Sequence, residues 1–178
     1  MKHPLLKHLP APVLVALTLA WVGCEGSPVP LSESPSVPVD STWLGAWELE
    51  NPDENDGAHA TVYRFNAFEY LVDYREVDTA DDGSMTEGDS DLLRMFVTDV
   101  DGRPVLNLIC SDCVDDEDWF FLEVEMPDPD RALLTPPADD FYEGLDDDVT
   151  PQTVLNRLRA VLEDGRTGET GVFRRMDG

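Results

Sequence analysis

From residue 42 onward, apolar and polar side chains alternate with the period of two that marks half-buried strands, in one short run after another. Trp43, Gly45, Trp47 and Leu49 fall on one face of the first run, TWLGAWELE. Thr61–Phe65 follows, and then Tyr70, Val72 and Tyr74 alternate with Glu69, Asp73 and Arg75. Leu92–Val97 and Val105–Ile109 are joined by Asp99-Val100-Asp101-Gly102, a turn sequence with its glycine placed for positive φ. In Trp119–Met126, the side chains of Phe120, Leu122, Val124 and Met126 point one way, while Glu123 and Glu125 point to water. Arg131–Thr135 is expected to pair back across Pro127-Asp128-Pro129-Asp130, and Gly171–Met176 forms a last strand. Two acidic stretches, Asp78–Ser90 and Ala138–Val149, read as long mobile loops.

One segment switches to a helical period. Val154, Leu155, Leu158, Val161 and Leu162 make a single apolar stripe, with Arg157 and Arg159 off it. Thr150 is placed to cap, Pro151 takes the first helical position and Gly165 follows the end. Short strands at this spacing, with turn signals between them, predict a mainly β fold. It is an antiparallel barrel or strongly curled sheet with one amphipathic helix before the last strand.

The N-terminus follows a different pattern. Lys2, His3, Lys7 and His8 precede the apolar run Val13–Val22, and Gly23 stands directly before Cys24. A charged start, a short apolar run and a small residue at the cut describe an export signal, and the run is too short to span a bilayer. Trp21 at −3 fits poorly the small-residue pocket of ordinary signal cleavage. The Val22-Gly23-Cys24 junction resembles the lipobox of bacterial lipoproteins, although Trp21 stands where that family usually has Leu. The resemblance implies a signal peptide over 1–23 and acyl chains on Cys24 as the new N-terminus. The anchor would lie in a membrane of the cell envelope. The alternative is a cleaved, soluble secreted or periplasmic protein. Glu25–Ser41, with Pro28, Pro30, Pro35 and Pro38 among serines, completes a 24–41 segment that reads as a solvated tether. In extended form it would hold the domain on the order of 50 Å from its anchor. Residues 42–178 then form one acidic domain.

A second resemblance lies in Leu44-Gly45-Ala46-Trp47, which is similar to the Gly-x-Trp motif of lipocalins. The order of strands, late helix and terminal strand is also similar to that of small uncharacterised bacterial lipoproteins of this barrel type. The lipocalin resemblance implies that Trp47 closes one end of the barrel and that Arg174 or Arg175 stacks across it. The alternative is that Trp43 and Trp47 are ordinary core residues. A barrel interior lined by Tyr63, Tyr70, Tyr74, Phe120 and Leu122 would suit a small apolar ligand.

Charge narrows the partners. The chain carries a formal net charge of −26, and its only lysines, Lys2 and Lys7, lie in the signal segment. Such a surface excludes nucleic acid and gives no basic patch for anionic lipid, so membrane residence falls to the acyl chains on Cys24. Cys110 and Cys113 are expected to form a local disulfide, because export is oxidising and the neighbours Asp112, Asp115, Asp116 and Asp118 would suppress a reactive thiolate. Asp78–Asp89 has an EF-hand-like spacing but Ala80 at its third position, so only loosely held divalent cations are expected, with no dedicated metal site and no cofactor. No nucleophile motif surrounds a serine, and His59 is the one histidine beyond the signal segment. Two non-enzymatic functions remain: uptake of a small apolar ligand, or an interaction protein with a solid core and an acidic outer surface meeting an envelope partner.

Overall fold

Eight antiparallel strands, each hydrogen-bonded to its neighbour in sequence, close into a barrel when the last pairs with the first. A computed structural model describes residues 26–50, 56–79, 85–111, 118–146 and 148–176. The strands are β1 Gly45–Leu49, β2 Asp56–Arg64, β3 Glu69–Thr79, β4 Met85–Val100, β5 Arg103–Cys110, β6 Trp119–Asp128, β7 Arg131–Thr135 and β8 Gly171–Arg175. The helix α1, Pro151–Glu163, lies between β7 and β8 as expected, with the Thr150 hydroxyl accepting from Thr153 N–H at its start. The mainly β barrel with one helix before the last strand is therefore the architecture observed.

Several strands, β2, β3 and β4 above all, are longer than the alternation predicted. Asp78–Thr79 and Met85–Ser90, expected within a loop, continue β3 and β4 as a paired ladder. Acidic and small residues conceal these ends, because buried Val77 stands alone among them and a single apolar position shows no alternation. Between β4 and β5 the link is a two-residue turn, Asp101-Gly102, with φ of 55° and 86°. That geometry matches the twist of an antiparallel pair.

Alternation gives the wall two apolar sides. Val72, Tyr74, Leu93, Met95, Leu106, Leu122 and Val124 turn inward and make the barrel core. On the outside of β4–β6, Val100, Val105 and Phe121 meet Val154, Leu158, Val161 and Leu162 of α1. The helix thus covers one flank of the barrel and does not plug an end. One end of the barrel carries the β2–β3, β4–β5 and β6–β7 turns and Arg175; the other carries the start of β6 at Trp119.

Residues 26–40 do not form a solvated tether. They run as a strap from the Trp119 end to the Arg175 end, and Leu31 is only 2% exposed within the outer core. Asn107, itself fully buried on β5, accepts the Leu31 N–H at 2.9 Å. Val37 and Val39 pack against the core, and Val39 N–H donates to Ala67 O at 3.0 Å. The prolines set extended backbone, and the apolar residues between them find grooves on the wall.

Candidate functional site

The barrel interior holds a partly open cavity of about 100 Å³, walled by side chains from every strand. Val72, Tyr74, Leu93 and Met95 come from β3 and β4, and Leu106, Leu122 and Val124 from β5 and β6. Trp43 and Trp47 border it toward the Arg175 end. Ala60 and Ala132 are the small residues whose missing volume leaves the space open. Among the residues lining it, only Tyr74 carries a titratable group, and burial pushes its phenol up to about 12, with Glu76 and Asp91 adding to the shift. An apolar wall of this kind offers a ligand burial and shape, and its one titratable group is a phenol that stays protonated at neutral pH.

The Arg175 end is closed by a compact set of contacts. The guanidinium of Arg175 lies over the Trp47 indole, 4.4 Å from the ring centroid. Its Nη1 donates to Leu44 O at 2.7 Å, its Nε and Nη2 donate to Pro129 O at 3.2 and 3.1 Å, and Nη2 also reaches Thr42 O. Gly45 makes this approach possible: its φ is +124°, and a Cβ there would stand 2.9 Å from Arg175 Nη1. Trp43 stacks on Tyr70 at 5.7 Å, and the Tyr70 hydroxyl accepts Asp40 N–H at 2.7 Å. Burial raises the Tyr70 phenol, opposed in part by that hydrogen bond.

The expected site residues separate into three groups. Tyr74 and Leu122 line the cavity. Tyr70 is buried in the same core but is held under Trp43, away from the cavity wall. Tyr63 is a correction: β2 turns Ala60 and Val62 inward, so Tyr63 points outward and is 51% exposed. Phe120 is another, because it sits at the Trp119 end beside Gly26 and edge-on to Tyr142 at 6.0 Å. Of the two arginines, Arg175 meets Trp47, whereas Arg174 faces out and pairs with Glu50. Alternation along β8 decides between them. Cavity residues such as Met95, Val124 and Phe173 escaped sequence reading because nothing in an apolar run separates a packed side chain from one beside a void.

Compared with family models, with curated proteins and with solved structures, the chain matches none. Cys110 is buried and disulfide-bonded. Cys113, the partner expected from the spacing, lies outside the described residues, as does Cys24. Most of the acidic stretch Asp78–Asp89 and of Asp115–Asp118 lies outside them or has undescribed side chains; among the described residues no three His, Cys, Asp or Glu side chains converge as metal ligands.

Proposed function

We propose that the chain is an exported, lipid-anchored envelope lipoprotein without enzymatic activity, whose lipocalin-like barrel holds one small apolar ligand. The observation that carries the reading is the cavity of about 100 Å³ with its apolar wall. A dry apolar cavity of roughly 150 Å³ binds benzene or xenon, and at about 100 Å³ this one limits its occupant to a single ring or smaller. The Arg175 seal over Trp47 supports the lipocalin-like reading. Anchoring rests on the signal-like 1–23 segment and Cys24. Acylation consumes the Cys24 thiol, so it requires Cys113 to be the partner of Cys110.

The test has two arms. Mass spectrometry of protein extracted from membranes is expected to find Cys24 as an acylated N-terminus and a Cys110–Cys113 cross-link. An unmodified or different N-terminus removes the anchor from the reading. In the second arm, toluene near saturation raises Tm by several degrees, as mass action requires for a ligand well above its Kd. Ala132→Leu, which fills the cavity, abolishes the shift while keeping Tm. A wild-type Tm indifferent to toluene and to indole excludes the ligand and leaves the interaction reading. That second reading is favoured by one observation: the cavity is smaller than the roughly 300–1,000 Å³ of most ligand sites.

A further inference from the structure

The strap fixes where an acyl chain on Cys24 must stand. Ser27 exchanges both main-chain hydrogen bonds with Trp119, at 2.9 and 2.7 Å, and its buried hydroxyl donates to Val29 O at 2.7 Å. One residue earlier, Gly26 N–H donates to Asp118 Oδ2 at 3.1 Å. The approach there is so close that a Cβ on Gly26 would stand 2.6 Å from Asp118 Cβ. Leu31, seated in the outer core and bonded to Asn107, holds the next stretch. Cys24 is two residues from Gly26, and two extended residues span only about 7 Å. The lipid attachment therefore stays beside Trp119, where a free tether would have allowed on the order of 50 Å.

We propose that the Trp119 end of the barrel rests against the lipid surface and the Arg175 end faces away from it. This orientation rests on the reading that Cys24 is acylated. Strands β3 and β4 run past Trp119 at the same end, and this orientation requires the barrel axis to tilt so that both reach the surface. The large exposed apolar side chains among the described residues, Tyr63, Phe65, Phe68 and Met176, all lie at the Arg175 end. Taken alone, an exposed aromatic hairpin suggests contact with a bilayer interface. The position of the anchor reverses that assignment. The ten residues of β6 place the two ends on the order of 25 Å apart at the usual strand tilt, so one short leash cannot serve both. The hairpin side chains are thereby turned to the aqueous side.

Tryptophan quenching tests the orientation, because Trp119 marks one end and Trp43 with Trp47 the other. The acylated mature protein is reconstituted in phosphatidylcholine vesicles carrying a nitroxide on the lipid headgroup. Quenching is expected in the wild type and in Trp43→Phe, and is lost in Trp119→Phe. A Gly/Ser spacer of about fifteen residues between Glu25 and Gly26 lets the domain float free, so quenching drops although the protein stays vesicle-bound. Quenching that persists in Trp119→Phe, or that ignores the spacer, overturns the orientation while leaving the anchor intact. Protein that fails to float with the vesicles overturns the acylation reading and the orientation with it.

Discussion

At the scale of single residues, Arg174 and Arg175 are adjacent, chemically identical and unequal in consequence. Arg175 satisfies carbonyl oxygens from Leu44 and Pro129 while covering the Trp47 indole, and its side chain is 25% exposed. Arg174 makes one ion pair with Glu50 and is 58% exposed. A cation over an indole contributes about 0.5–2 kcal/mol, and the part-buried Leu44 carbonyl left without its donor costs about 1 kcal/mol or more. Arg175→Met is therefore expected to lose about 2–4 kcal/mol, and Arg174→Met no more than about 0.5 kcal/mol, as surface ion pairs generally do. Urea midpoints at an unchanged m-value measure both. Equal, small losses would mean that the end of the barrel holds without its arginine. The same cluster explains Gly45, where any side chain would meet both a positive φ and the Arg175 guanidinium.

Among the elements, the strap is the one whose removal the rest of the fold should survive. It is fastened at Ser27, at Leu31 through Asn107, and at Val39, with prolines between that donate nothing. Asn107→Leu removes the acceptor of the Leu31 N–H in a fully buried place and keeps the side chain's volume. Hydrogen exchange of the Leu31 amide should then speed up at least about tenfold, the equivalent of about 1.4 kcal/mol of local opening, with the β2 and β3 amides, which Asn107 does not touch, unchanged. Uniform acceleration across the barrel would show that the strap is part of one cooperative unit. Much at this scale was legible in the chain: the capped helix, the Asp101-Gly102 turn and most strands follow from period and punctuation. The strap was not, because Pro and Ser dominate its composition. Its signal is subtler, Val29, Leu31, Val37 and Val39 recurring two apart on either side of a polar centre, and only the grooves of a finished wall give those positions a meaning. The ends of β3 and β4 were missed for another reason, since Val77 is a lone buried apolar position among acidic and small residues and so shows no period.

For the whole molecule, charge opposes what the proposed anchor would impose. The connections 51–55, 80–84 and 112–117 all join strands at the Trp119 end, and their sequences include Asp53, Glu54, Asp81, Asp82, Asp112, Asp115, Asp116 and Glu117. Under the proposed orientation this acidic end is held close to headgroups by a leash of about 7 Å, shorter than the Debye length of about 10 Å at 0.1 M salt. Anionic lipid must then repel the domain as far as the leash allows, and salt must relax the repulsion. In zwitterionic vesicles nothing comparable acts. Quenching of Trp119 by headgroup nitroxide is thus expected to be weaker in vesicles rich in phosphatidylglycerol than in phosphatidylcholine at roughly 0.02 M salt. The difference should vanish by roughly 0.5 M, where the Debye length is down to about 4 Å. A quenching level independent of both lipid charge and salt would mean that the acidic connections lie away from the bilayer, and with them the Trp119 end.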